Sequence, residues 1–326
     1  MSSKKSLAAR AIGRVRGAFG VITGTHVASP SEVELDSAKE TLAEINVGEI
    51  LARVPAGFRG AEFTPVDYVW WNFLCRSRTI DMFPTELAAS KAAVKRINDF
   101  YSSNVERFGI TRGNFFGGSI KDDEAVTLHR LIIEQKPKNV VQIGTFIGYS
   151  AAIIADALRQ NGSGRLICID PEIQHRSSGN PVDVAKELFA NMGLSDIVSF
   201  ETGWSSGRIS HGYDAKVTSV DLEKARMMNI PVVGRDVLQA VEEGVDFAFV
   251  DGDHSTAFTL MDFHMIREYL NKGGIVLFHD AFSWPSVAQA LSIIWSDILF
   301  FTKSTSEFFD LDVRKGRDGL AIIRKK

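Results

Sequence analysis

From Asp122 onward the chain alternates short apolar runs with stretches in which apolar residues return every three or four positions. Runs this short and this apolar predict strands buried on both faces, and the intervening helical rhythm predicts the helices that cover them. The runs are Asn139 to Ile143, Arg165 to Ile169, Ile197 to Glu201, Phe247 to Val250 and Ile275 to Phe278. Between them, Ser150 to Gln160 predicts a helix ended by Asn161 and Gly162, and Val182 to Met192 one that ends before Gly193. Thr256 to Leu270 predicts a third, ending before Gly273 and Gly274, because glycine most easily takes the left-handed turn that follows a helix. Ser255 stands where a side-chain oxygen caps that third helix. The pattern is that of a doubly wound, mostly parallel α/β sheet.

The N-terminal third has another rhythm. Ala38 to Ile45 and Glu86 to Tyr101 predict helices, so residues 37–115 read as a helical extension or cap in front of a domain at 116–326. Tyr68, Trp70, Trp71 and Phe73 fall in one short run, which reads as packing against a neighbouring domain rather than as a ligand cage. Residues 1–36 read as a basic arm: Lys4, Lys5, Arg10, Arg14 and Arg16 occur before any acidic residue. A transit peptide has the same composition, but a flexible arm needs fewer assumptions. Gly207 to Arg235 is long and weakly periodic, as an insertion over a site would be.

Composition narrows the classes. With 45% hydrophobic and 24% charged residues, the chain can bury a real core and is not disordered throughout. A net charge of -3 gives no reason to expect a nucleic-acid partner. Cys75 and Cys168 lie far apart, and no apolar stretch reaches the roughly 18 residues a membrane span needs. A soluble, cytoplasmic protein acting on a small molecule is the expectation, with a homo-oligomer through the N-terminal helices as one compatible arrangement.

In open sheets of this kind ligands bind beyond the carboxyl ends of the strands. Those ends carry Gly144, Asp170, Gly203 with Ser205, Asp251 with Asp253 and His254, and His279 with Asp280. The first turn, Gly144-Thr145-Phe146-Ile147-Gly148-Tyr149-Ser150, lacks the dinucleotide fingerprint, since Phe146 and Tyr149 stand where a pyrophosphate loop needs glycine. A cofactor without a pyrophosphate tolerates those side chains and still uses bare backbone at Gly144 and Gly148 for close approach. Asp170 ends the second strand where a carboxylate can accept ribose hydroxyls. His254, with an ordinary pKa of about 6.5 and therefore largely neutral, is suited to take a proton. Asp262, His264 and His129 read as structural.

The segments Asp251-Gly252-Asp253-His254 and Gly273-Gly274-Ile275-Val276-Leu277-Phe278-His279-Asp280 make the chain resemble class I S-adenosylmethionine-dependent methyltransferases, within them the small-molecule O-methyltransferase-like branch. The resemblance runs from about Phe116 to the C-terminus and implies a methyltransferase-type sheet of seven strands. It implies cofactor contacts at Gly144, Thr145, Gly148, Ser150, Asp170, Gly203, Ser205 and Asp251, with Gly144 and Ser150 at the methionine end and the Gly203–Ser205 turn at the adenine. Gln142 replaces an acid that many relatives carry; its amide oxygen can still accept from the cofactor's ammonium. The metal-dependent catechol-type relatives place a divalent ion, magnesium or another, at Asp251 and Asp280. Ala281 replaces their amide ligand, so His279, Asp253 or water would complete the set. His254 takes the place of their catalytic lysine. Phe282, Trp284 and Pro285 could wall an acceptor. Nitrogen or carbon methylation, a silent cofactor-binding module and a nicotinamide dehydrogenase are the rival readings.

Overall fold

The computed structural model describes residues 84–173, 179–207, 230–281, 283–301, 309–314 and 318–325. The basic arm, Ala38 to Ile45, the aromatic run at Tyr68 to Phe73, most of the 207–235 insertion and Phe282 lie outside them. The chain divides into two compact units, Met1–Thr79 and Ile80–Lys326, and the boundary expected after residue 115 falls inside the second.

Within that unit, α1 (Pro84–Asn104), a short 3-10 turn (Val105–Phe108), α2 (Arg112–Gly117) and α3 (Asp122–Gln135) precede the first strand. There follow β1 (Asn139–Ile143), α4 (Tyr149–Asn161), β2 (Arg165–Asp170), α5 (Pro181–Met192) and β3 (Val198–Thr202). The second half runs α6 (Gly234–Gln239), β4 (Val245–Val250), α7 (Thr256–Tyr269), β5 (Leu270–Phe278), α8 (Pro285–Phe301), β6 (Phe309–Arg314) and β7 (Leu320–Lys325). The sheet order is β3-β2-β1-β4-β5-β7-β6. The strands from β3 to β5 run parallel, and β7 and β6 add an antiparallel pair at one edge. Strand order reverses between β1 and β4, which opens a crevice above their carboxyl ends.

Burial follows the apolar runs. All five residues of β1 are buried, as are Phe247, Phe249, Ile275 and Leu277. The helical segment before residue 116 joins the same core: Tyr101 stacks on Phe115 at 5.8 Å and meets Tyr149 edge-on at 5.3 Å. Its hydroxyl donates to the Ile147 carbonyl at 3.2 Å, tying α1 to the first strand-end turn. The helix ends predicted at Gly162, Gly193 and Ser255 form as expected. Gly162 and Gly193 take left-handed conformations after α4 and α5, Asn180 caps α5, and Ser255 caps α7 by accepting from the Phe258 amide.

Two expectations are corrected. The run Ile197 to Glu201, read as buried, forms the edge strand β3, which alternates half-buried with exposed positions because only one neighbour pairs with it. Gly273 and Gly274 do not stop α7. That helix ends at Tyr269, and Leu270 already pairs with Val245 in β5. The glycines sit at the register shift between that pair and Phe247↔Ile275. Gly273 has φ +77°, and a Cβ on Gly274 would come within 2.8 Å of the Asn271 carbonyl oxygen, so they serve a bulge.

Candidate active site

The strand ends converge as predicted. Backbone bonds extend the ladder beyond the strands: the Asp251 amide donates to the Ile143 carbonyl at 2.9 Å, His279 to Val250 at 3.1 Å and Gly203 to Asp170 at 2.9 Å. Gly144, Asp170, Gly203, Asp251 and His279 therefore stand in one row along the sheet edge.

The turn after β1 is held from below by Gln142, whose amide nitrogen donates to the Gly144 carbonyl at 2.8 Å and to Ser150 Oγ at 2.9 Å. Gln142 Oε1 is buried and has no partner among the described residues. The two glycines are required by the fold itself. A Cβ on Gly144, which has φ +82°, would overlap the Asp251 carbonyl and lie 2.8 Å from Gly252 Cα, and one on Gly148 would lie 2.9 Å from Ala185 Cβ. Their bare Cα atoms admit the β4–α7 loop and α5, so the closeness serves the fold of the site's rim. Phe146 also takes a positive φ of 49°.

Asp170 faces that turn. Its Oδ2 accepts from the Thr145 amide at 2.7 Å and the Phe146 amide at 3.3 Å, and its Oδ1 from the Glu172 amide at 2.7 Å. Burial raises its pKa, and these amide bonds partly hold the rise back. Glu172, absent from the expected site, adds a second acid at this edge and accepts from Thr202 Oγ1 and Asn180 Nδ2. At the β3 turn, Ser205 Oγ donates to Asp262 Oδ1 at 2.7 Å. That hydroxyl is thus committed to α7, and Asp262 is part of the turn's support.

The acid–histidine group lies at the ends of β4 and β5. His254 Nε2 sits 2.7 Å from Asp280 Oδ2 and 3.7 Å from Asp251 Oδ1, with its ring stacked on Trp284 at 4.8 Å. His279 Nδ1 lies 3.2 Å from both Asp251 Oδ1 and Asp280 Oδ2, and its Nε2 lies 3.2 Å from Glu124 Oε2. Asp280 has φ +57° and is also met by Ser283 Oγ. Burial disfavours charge throughout this group, but opposite charges outweigh it. Asp251 is lowered and Asp280 held well below the carboxylate range, chiefly by His279, while His279 is raised well above its ordinary value. His254 is pushed up to about 10 by Asp280 and Asp251 despite its burial.

One expectation changes here. His254 is not largely neutral near pH 7, because two carboxylates stabilise its imidazolium. Both nitrogens of His279 face carboxylates, Nε2 on Glu124 and Nδ1 on Asp251 and Asp280. Among the described residues two groups of donor atoms lie within 4.8 Å of one another: Asp251, His254 and Asp280, and Glu124, His279 and Asp318. Ala281 is buried and offers no ligand. His129 is the packing residue expected: Nδ1 meets Ser90 Oγ at 3.0 Å and Nε2 meets Asp156 Oδ2 at 3.3 Å.

Residues 141–281 match the family model described as a methyltransferase domain. Tapetum-specific methyltransferase 1 of Arabidopsis thaliana is 21% identical over 77% of this chain and 95% of its own. An uncharacterised protein of Acanthamoeba polyphaga mimivirus is 37% identical over 65 residues, 19% of this chain, and the match spans 29% of that protein's length. Solved structures with a similar course include the O-methyltransferase TomG of Streptomyces achromogenes in complex with S-adenosylmethionine, with TM-score 0.44 and 16% identity over 81% of this chain and 97% of that one. The Podospora anserina methyltransferase PaMTH1, bound to S-adenosylhomocysteine, has TM-score 0.45 and 14% identity over 93% of this chain and 100% of that one. No helix among the described residues is long and apolar enough to cross a membrane.

Proposed function

We propose that this protein is an S-adenosylmethionine-dependent methyltransferase that acts, in the cytoplasm, on a hydroxyl of a small molecule. The observation that carries the oxygen reading is the convergence of Asp251, His254 and Asp280 beside the Gly144–Gly148 turn, at the point where strand order reverses. The family match over 141–281 supports the methyltransferase class.

The residues present fit the cofactor. Gln142 Oε1 is a buried acceptor lacking a donor beside Ser150 and Gly144, which suits an ammonium group at the methionine end. Asp170, with Glu172 beside it, offers carboxylate oxygen to a ribose, and the Gly203–Ser205 turn borders the adenine side. Bound there, S-adenosylmethionine would supply an electrophilic methyl group; as the acceptor oxygen bonded to it the sulfur–methyl bond would break to leave S-adenosylhomocysteine, and the hydroxyl proton would pass to the Asp251–His254–Asp280 group. The chain's main contribution is to hold donor and acceptor in line. Trp284, stacked on His254, walls the acceptor side.

The donor set also fits a divalent ion. Asp251, Asp280 and His254 Nε2 would hold it, the ion displacing the Nε2 proton, and a mixed oxygen–nitrogen set suits manganese, iron or zinc better than magnesium. Bound there, it would supply Lewis acidity to the acceptor hydroxyl. His254→Ala is expected to lower turnover of a catechol probe about 100-fold while S-adenosylhomocysteine affinity stays within about twofold. EDTA dialysis should inhibit the wild type and leave the residual activity of the variant unchanged; unaltered turnover in the variant would remove His254 from the site.

Calorimetric titration decides the cofactor class. S-adenosylhomocysteine is expected to bind and NAD not to bind, and the opposite result would sink the methyltransferase reading.

A further inference from the structure

We infer that Glu124, on the first turn of α3 and outside the reacting group, is a positioning residue that sets where Asp280 and Asp251 stand. Calling it a determinant of methyl transfer rests on the function proposed above; the geometry does not.

Glu124 is buried, and each of its oxygens holds a different part of the site. Oε1 accepts from the backbone amides of Asp318 at 2.8 Å and Gly319 at 2.6 Å, in the turn before β7. That turn in turn braces the segment after β5, since the Ala281 amide donates to the Gly319 carbonyl at 3.2 Å and the Ser283 amide to the Asp318 carbonyl at 3.1 Å. Oε2 accepts from the Lys121 amide at 3.3 Å and faces His279 Nε2 at 3.2 Å. The opposite nitrogen of His279 faces both Asp251 and Asp280 at 3.2 Å. Ionised carboxylates only accept, so with acceptors at both ends the ring acts as a strut that donates both ways. Two routes therefore run from one carboxylate to Asp280, one through a side chain and one through a backbone turn.

This arrangement answers a physical difficulty. Asp280 adopts a left-handed φ of 57°, a conformation that costs a non-glycine residue energy and persists only when its surroundings over-determine it. Bracing from both sides supplies that over-determination, and Glu124 is the group the two braces share. Lys121, paired with Asp318 at 3.2 Å, reinforces the same corner from the solvent side.

The test separates the two routes. Glu124→Gln can keep its carbonyl oxygen on the Asp318 and Gly319 amides but presents an N–H to His279 and to the Lys121 amide, so it cuts the strut, with the 3.3 Å Lys121 bond, and spares the backbone route. With the tryptophans labelled as 5-fluorotryptophan and the Trp284 signal assigned by Trp284→Phe, the 19F spectrum reports the segment after Asp280, where Trp284 stacks on His254. Glu124→Gln is expected to shift that resonance and to lower kcat for a catechol probe on the order of 10-fold to 100-fold, with S-adenosylhomocysteine affinity within about twofold. His279→Gln is expected to give the same 19F shift, and the double variant no further shift, because both cut one strut. An unmoved Trp284 resonance in a variant that melts like the wild type overturns the inference, as do additive shifts in the double variant. If wild-type protein fails to bind S-adenosylhomocysteine, the methyltransferase reading falls, and the 19F result alone decides the strut.

Discussion

Gly144→Ala is expected to cost about 3–5 kcal/mol of stability, roughly 1–2 from placing alanine in a left-handed conformation and the rest from overlap that must be relieved. The overlap is with backbone: the added methyl carbon would lie 2.7 Å from Asp251 C and 2.8 Å from Gly252 Cα. Main-chain atoms cannot swing aside as a side chain does, so the β4–α7 loop itself must shift. That loop carries Asp251 and His254, and the loss should therefore appear in function as well as in melting temperature, which is expected to fall about 10 °C. Gly162→Ala is the control. It has a similar φ of 72° but nothing within 4 Å of the added carbon, so it should pay only the conformational cost, roughly 1–2 kcal/mol. Equal melting temperatures for the two variants would show that the contact with Asp251 does not matter.

The contrast between these glycines marks what could be read from the chain alone. A glycine after an apolar run announces a turn, and the turn, its strand and the acid at the end of the next strand all stand where the pattern put them. What the glycine is for depends on a partner at position 251, which no local pattern reports. Glu124 is the stronger instance. It follows Asp122 and Asp123 at the start of a helix, where acids are favoured by the helix dipole and are usually solvated. Its contacts at His279 and Gly319 lie 155 and 195 positions away, and only the antiparallel return of β7 beside β5 brings them together. The acid–histidine group was legible as strand-end residues, but not which histidine faces which acid. That pairing decides both that His279 faces carboxylates at two ends and that the pKa of His254 is raised. The edge position of β3 and the bulge in β5 were hidden for a related reason: apolar content predicts a strand, whereas its number of neighbours is a property of the whole sheet.

Asp262→Asn is expected to stabilise the protein by about 3 kcal/mol at pH 8 and by almost nothing at pH 4, as read from urea unfolding at the two pH values. Asp262 is fully buried on α7, and burial raises its pKa from 3.8 to about 6, opposed only in part by the serine hydroxyls beside it. Because the folded-state value is the higher one, the folded protein holds a proton that the unfolded chain releases. Its contribution is complete below pH 3.8 and is lost as pH rises through about 6. Asparagine keeps a carbonyl oxygen to accept from Ser205 Oγ and never ionises, so it escapes the penalty that the wild type meets above pH 6. A gain that did not grow between pH 4 and pH 8 would mean that the carboxyl is not the titrating group. The position also bears on the site, because Ser205 belongs to the turn that borders the adenine side. A carboxylate retained there against its own desolvation gives that turn a negative charge at neutral pH, and the asparagine variant removes the charge while leaving the Ser205 bond in place. Measured in the same variant, S-adenosylhomocysteine affinity therefore separates what Asp262 does for the turn's geometry from what its charge does for a ligand beside it.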